Sequence, residues 1–394
     1  MKHKITALIT MLFSGAILSA QMPGGITMQQ ASGPQGTTLG ANTTSGAAGI
    51  ALGNRVVMRG YVDFVYSSES LADGLSNDKK FNTNSDIDFL FDFSPITAEV
   101  HLAMTPSPDK TMNEDFVELE QAFVRYAFNR DFNISFGRQV TSLGFDGDEA
   151  TDLYTVSNSY FAYGLFTNEH MLSEIYSSYL KEGNSPLIRT SDRTQILTGN
   201  DFATVWNSNM PQKIRKNYVD GIRANFNNGR FGLSLGLHDS YWTGDDLNDN
   251  IAIDIVASLM IMPGLEARIG YAHQDLEEDD ISQFNTWLAY KPENLTLATE
   301  FDYFELADQE LWDLMLLANY QFSNWFGMTL RYSHEDWENI LAGYNLESDR
   351  ITLAFLFSVT ENFAINLEYS HTEYEVGDAE DSADEFYLEG LLSF

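Results

Sequence analysis

Ile251-Ala-Ile-Asp-Ile-Val-Ala-Ser-Leu-Met-Ile261 puts an apolar side chain at every odd position and sets Ala252, Asp254, Ser258 and Met260 between them. Successive side chains on a strand point to opposite faces, so this stretch has one apolar face and one that carries an ionised group. Asp254 also breaks the run well short of the ~20 apolar residues a bilayer-spanning helix needs.

The same rhythm recurs along the chain. Val56, Met58, Val62, Phe64 and Tyr66 alternate with Arg55, Arg59, Tyr61 and Asp63. Ile87, Phe89, Phe91 and Phe93 alternate with Asp86, Asp88 and Asp92, and Leu295, Leu297, Thr299, Phe301 and Tyr303 with Thr296, Ala298, Glu300 and Asp302. Phe386, Leu388, Gly390, Leu392 and Phe394 form the last run. Sixteen segments read this way: 54–66, 85–94, 96–105, 116–128, 131–140, 218–227, 230–241, 249–262, 264–274, 282–291, 294–304, 309–322, 324–335, 347–358, 362–373 and 384–394. Connections after the even-numbered segments are short turns, as at Ser94-Pro95, Asn227-Asn228-Gly229 and Pro263-Gly264. Those after the odd-numbered ones are mostly longer and acidic, as at Asp275 to Asp280 and Glu373 to Glu385. This is the layout of an all-β, transmembrane, antiparallel up-and-down β-barrel of about sixteen strands. A soluble β-sandwich would alternate too, with its charged face in water. Long uniform strands, aromatic residues ending the apolar faces and the parity of the connections favour the barrel.

Composition agrees. The chain has 394 residues, with 57 acidic and 22 basic side chains and a net charge of -35. That balance excludes nucleic acid as a partner, because phosphate binding needs an excess of Lys and Arg. The absence of Cys removes disulfides, thiolate metal sites and cysteine nucleophiles. With 27 Phe and 19 Tyr against 9 Pro, the composition leans towards strands.

Met1-Lys-His-Lys4, the apolar run Ile5 to Leu18 and Ser19-Ala20 have the layout of a secretory signal, with cleavage expected after Ala20. Residues 21–53 lack charged side chains and any period, and read as a flexible periplasmic leader. The barrel is expected over 54–394, with a long loop insert at 141–217. In the insert, Leu172, Ile175, Tyr176 and Tyr179 have helical spacing, and Thr194 to Leu197 with Phe202 to Trp206 could pair as a hairpin. If that hairpin joined the wall the barrel would have eighteen strands. Sixteen strands, with the insert folded inward to narrow the lumen, is the preferred expectation.

Three motifs carry a family resemblance. Gly60-Tyr-Val-Asp-Phe-Val-Tyr66 resembles the opening strand of Gram-negative outer-membrane porins. So does Glu118-Leu-Glu-Gln-Ala-Phe-Val-Arg-Tyr126 followed by Asn133-Ile-Ser-Phe-Gly-Arg138. Tyr163-Gly-Leu-Phe-Thr167 resembles a segment of the β-barrel porin family with OmpL-like members. The terminal Phe394 is similar to the signal read by the outer-membrane assembly machinery. The resemblance implies a bacterial outer-membrane location, surrounding outer-membrane lipid and a water-filled channel for passive diffusion of small hydrophilic solutes. It implies no cofactor and leaves a homotrimer open.

If the apolar faces meet lipid, the opposite faces line the passage. The charged candidates there are Arg55, Arg59, Asp63, Asp86, Asp88, Asp92, Glu99, His101, Arg125, Arg138, Asp220, Arg223, Asp254, Glu266, Arg268, Glu300, Asp302, Asp313, Arg331, Glu368 and Glu389. Carboxylates outnumber cations among them, so mild cation selectivity is expected. Gly232-Leu-Ser-Leu-Gly236 matches a hydrolase pattern, but Ser234 lies in an alternating strand and not on a strand-to-helix elbow. Asp146-Gly-Asp148-Glu149-Ala150 begins like a calcium loop and then departs from it, and the seven His form no H-E-x-x-H pair. No enzyme and no metal site is therefore expected. The alternatives to a channel are a structural or adhesive barrel without a general pore and, behind it, a barrel enzyme.

Overall fold

The computed structural model describes residues 50–71, 77–105, 116–147, 149–159, 187–190, 193–196, 217–242, 251–275, 280–306, 309–341, 344–376 and 379–394. Sixteen antiparallel strands form the wall. In chain order they are β1 (Val56–Leu71), β2 (Asn77–Phe93), β3 (Ile96–Thr105), β4 (Phe116–Ala127), β5 (Phe132–Val140), β6 (Tyr218–Asn227), β7 (Phe231–His238) and β8 (Ala252–Met262). They continue as β9 (Leu265–Gln274), β10 (Ile281–Tyr290), β11 (Leu295–Leu306), β12 (Gln309–Ser323), β13 (Phe326–Leu341), β14 (Tyr344–Ser358), β15 (Phe363–Val376) and β16 (Ala379–Ser393). Each pairs with its chain neighbours, and β16 pairs back on β1 from Ala383↔Leu71 to Ser393↔Tyr61. The seam ends on the last residue, where Phe394 and Gly60 exchange two backbone hydrogen bonds of 2.9 Å. Gly60 also has to be small, because a Cβ there would lie 2.2 Å from the Asp86 carbonyl oxygen.

The alternation seen in the sequence is the inside–outside alternation of the wall. On β8, Ile253, Ile255, Leu259 and Ile261 face out and are exposed, whereas Ala252, Asp254 and Val256 face in and are buried. Two aromatic girdles bound the outer apolar face. At the short-turn end Tyr320, Phe322, Phe326 and Phe357 pack ring to ring at centroid distances of 4.8, 5.4 and 5.2 Å. At the long-loop end Tyr332 and Tyr369 donate their hydroxyls to Asp349 and Asp384 at 2.5 and 2.6 Å, and Trp312 lies against His334. Trp312 and Phe322 share β12. Their ten-residue separation is ~34 Å of strand, or ~26 Å of height at a ~40° tilt. That is the thickness of the apolar band such barrels present to lipid.

Several expectations change in detail. The strands at the long-loop end run further than period two indicated, so Glu373 to Glu385, expected as a loop, is mostly ladder, with Glu373↔Ser382 and Glu375↔Glu380 paired. Above the aromatic girdle the outer face turns polar, with His371, Glu373 and Glu375 outward, so apolar alternation no longer marks the strand. The connection after β11 shortens likewise, with Leu306 paired to Gln309. Within the insert, Leu187–Thr190 pairs with Arg193–Ile196 in a separate two-stranded sheet, so the eighteen-strand alternative does not hold. The expected partner strand Phe202 to Trp206, the helix around 172–179, the signal and nearly all of the leader lie outside the described residues. From the leader's end, Ile50–Ala51 pairs with Met58 and Val57.

Exchanging an outward side chain for arginine tests the face assignment. Ile255→Arg should destabilise the barrel by about 2–4 kcal/mol, the cost of a cation near the bilayer midplane. Ser258→Arg, inward on the same strand, should cost clearly less. The loss of heat-resistant migration on unboiled gels ranks the two.

Candidate functional site: the inner wall and the segment that crosses it

Inward positions carry most of the charge, and strand register decides which charges meet. Arg59 on β1 faces Asp88 on β2 and donates Nε to it at 2.8 Å. Arg125 on β4 reaches Glu99 on β3 at 3.2 Å. Arg223 on β6 lies 3.3 Å from Asp254 on β8, which His238 on β7 also contacts at 2.7 Å. Arg268 lies 3.6 Å from Glu266 and stacks over Trp287 at 4.8 Å. Glu300 and Asp302 accept from Asn285 at 2.9 and 2.8 Å, and Gln283 adds 2.7 Å to Asp302. Asp63 is buried beside Glu389. Asp86 is buried next to Asp88, and Asp313 is buried on β12.

Four candidates sit elsewhere. Arg55 is exposed just before β1, with its guanidinium 5.6 Å from the ring centroid of the exposed Phe93. Asp92 is exposed at the short-turn mouth, where it caps the turn by accepting from the Ser94 amide at 2.9 Å. Arg138 and Asp220 bond to each other at 3.2 Å on the outer surface. They share strand parity with Phe136 and Ile222, both 48 % exposed. Reading them as lumen residues was wrong. They lie at the long-loop rim, where an outward charge meets water and charge ceases to mark the inner face.

Residues 141–147 enter the barrel, and 149–159 lie inside it against other parts of the wall. Ser142 Oγ donates to Asp254 at 3.0 Å. Leu143 is fully buried, and Phe145 stacks on Tyr154 at 6.0 Å with the edge of Trp287 at 5.5 Å. The Phe145 amide donates to Glu300 on β11 at 2.6 Å. Four residues on, Glu149 Oε1 is 3.8 Å from His101 on β3, eight strands round the sixteen-stranded wall. The intervening backbone spans at most roughly 14 Å. Opposite walls are thus bridged by one short peptide and the side chains reaching for it.

The segment then returns to β13–β15. Arg331 donates to Thr155 Oγ1 at 2.6 Å, to Ser157 O at 2.8 Å and to Asn158 O at 2.8 Å. Glu368 accepts the amides of Val156 and Ser157 at 2.5 and 3.1 Å, together with the Ser157 hydroxyl. Thr329 donates to the Tyr154 carbonyl at 2.6 Å. A loop buried in a lumen must satisfy its own backbone. Here wall carboxylates take its N–H groups and a wall guanidinium serves its carbonyls. Charge-assisted bonds of this kind are about twice as strong as neutral ones.

Sequence reasoning missed Arg350, His238 and Glu149 as members of this interior. Arg350 is 2 % exposed and reaches Glu385 at 2.6 Å and Ser157 Oγ at 3.3 Å. Its parity with Thr352 on β14 was a usable signal. Glu149 had none, because only the path of the segment brings it to β3.

No protein-family model matches the chain, and no curated protein matches it in sequence. Solved structures do. OmpF of Salmonella typhi, in complex with daunomycin, superposes with a TM-score of 0.57 at 10% identity, over 87% of this chain and 98% of that one. The anion-selective porin from Comamonas acidovorans gives 0.57 at 12% identity, over 86% and 99%. The outer-membrane channel DcaP of Acinetobacter baumannii gives 0.54 at 12%, over 88% and 100%. The fold matches the barrel of these solved porins. Identities this low carry the barrel alone, and this chain arranges its interior with its own residues.

Arg331→Ala removes four of the bonds that hold 155–158 and leaves Glu368 buried without that cation near it. Breaking one side of a buried charged network costs about 3–5 kcal/mol. The loss should fall on the segment and spare the sixteen-stranded wall. The variant should keep its heat-resistant barrel and be cleaved within 141–159 by a protease that leaves the parent intact, which limited proteolysis with mass mapping reads directly.

Proposed function

We propose that this chain is an outer-membrane porin, exported by the signal at 1–20, with 21–53 as a periplasmic leader, through which small hydrophilic solutes diffuse passively. The carrying observation is the pairing of an apolar outer band between two aromatic girdles with a charged inner wall against which a buried segment lies. Such a segment narrows a passage that sixteen strands would otherwise leave wide. The likeness to solved outer-membrane channels supports the reading, and a homotrimer fits it, since one of the similar solved structures is described as a trimer form. Most charged groups of the described inner wall are bonded to one another or to the segment, an arrangement that suits wall and filter. A channel function is therefore preferred to an enzymatic one.

Selectivity follows from the charge balance. With 57 carboxylates against 22 Lys and Arg, the field at the mouths favours cations within a Debye length of ~8 Å. We expect moderate preference for potassium over chloride, fading at high salt and below about pH 4, where carboxylates protonate. The zero-current potential across a planar bilayer under a KCl gradient tests this, and an anion-selective sign at neutral pH and low salt overturns it. One observation favours the second reading, a structural or adhesive barrel closed by its own filling. Arg331, Glu300, Asp302 and Glu368 are each no more than 2 % exposed. Folded protein that inserts and conducts nothing in the same recording would establish that reading instead.

A further inference from the structure

Where Glu149 meets the wall, charged groups collect without enough donors. Arg59, Asp88, His101 and Gln121 are successive cross-strand partners on β1 to β4, so their side chains form one inward row. Asp88 Oδ2 takes the Arg59 hydrogen bond. Asp88 Oδ1 stands 2.8 Å from His101 Nδ1. Glu149 brings Oε1 to 3.8 Å from the same nitrogen. These three donor atoms lie within 4.8 Å of one another. An ion with bonds of ~2.1 Å holds opposed ligands ~4.2 Å apart, so small side-chain rotations would close the set around it.

The imidazole is already oriented as a ligand. Gln121 Oε1 accepts from the Val140 amide at 3.1 Å, which turns its Nε2 towards His101 Nδ1 at 3.1 Å. In the tautomer to which Gln121 donates, Nδ1 presents a lone pair. The other ring nitrogen faces Glu99 at 3.4 Å, and Glu99 is itself tied to Arg125. A carboxylate behind the distal nitrogen is the usual support of a metal-binding histidine.

Asp86 supplies the independent observation. It is 1 % exposed, and neither carboxylate oxygen has a hydrogen-bond partner. It lies on the same inward face as Asp88, with its carboxylate against that of Asp88 and within electrostatic reach of Glu149. A buried carboxylate aimed at other carboxylates with no donor calls for a cation.

We propose that Asp88, His101 and Glu149, with Asp86 facing them, bind one divalent cation of the manganese or zinc class. Mixed imidazole and carboxylate donors suit those ions better than calcium. On binding, the Nδ1 lone pair passes from Gln121 to the ion. The bound ion clips the crossing segment to β2 and β3, opposite the Phe145–Glu300 contact on β11, and completes a strap between opposite walls. The site is independent of which solutes, if any, the barrel conducts.

The experiment is a Mn2+ titration of full-length, chelator-treated protein in detergent at physiological salt, with free Mn2+ read by electron paramagnetic resonance. One tight ion per chain is expected. Glu149→Gln, which alters the segment and not the wall, should weaken it at least tenfold, as should Asp86→Asn, while Glu373→Gln at the rim leaves it unchanged. In planar bilayers, chelation should increase current noise in the parent and not in Glu149→Gln. Absence of a tight ion in folded parent protein overturns the proposal and leaves Asp86 and Asp88 sharing a proton. Equal affinity in parent and Glu149→Gln overturns it as well, by moving the ion to the rim carboxylates.

Discussion

Closure of the hydrogen-bonded ladder governs everything else in this molecule. A sheet edge facing hydrocarbon would leave a row of N–H and C=O groups with no partner, and no lipid chain can supply one. The seam between β16 and β1 removes that edge, and it is completed by the final residue, where Phe394 and Gly60 satisfy each other's backbone. Once the ring is closed, the pleat assigns every residue to the inside or the outside. Outward isoleucines and phenylalanines then form the apolar band of the outer face.

The same assignment commits a large set of charged side chains to an enclosed space. Burial there is costly unless each group finds a counterpart. Register meets part of the demand by setting Arg59 against Asp88 and Asn285 against Asp302 across neighbouring strands. The crossing segment meets another part. Its amides serve Glu300 and Glu368 and its carbonyls serve Arg331, so wall and segment neutralise each other's unsatisfied groups. At Asp86 and Asp88 this mutual satisfaction falls short, and that shortfall is what a cation would answer.

The strands could be read from period two because a barrel wall is the place where one face must be apolar and the other must not. All sixteen segments were legible for that reason, as were the short turns, whose Pro, Gly and Asn residues mark one end. Legibility failed at the opposite rim. There Glu373 to Glu385 continues as ladder with a polar outer face, and Arg138 and Asp220 face outward although they are charged. Both misreadings share one cause: polarity separates inside from outside only along the apolar band, and beyond the girdle the outer face is polar too.

By itself, then, the sequence determined the sixteen alternating segments, the inward and outward sets along each apolar-faced strand, and the acidic balance of the whole, while the eighteen-strand alternative was closed only by the separate pairing within the insert. These follow from local alternation and from counting. The tertiary structure alone decided that Glu149 reaches His101, that the Phe145 amide ends on Glu300, and that Arg350 joins Arg331 around Ser157. Those contacts join residues from about 50 to nearly 200 positions apart through the path of an aperiodic segment. Such a path is set by which buried wall groups still need partners once the ring has closed, and no local pattern encodes it.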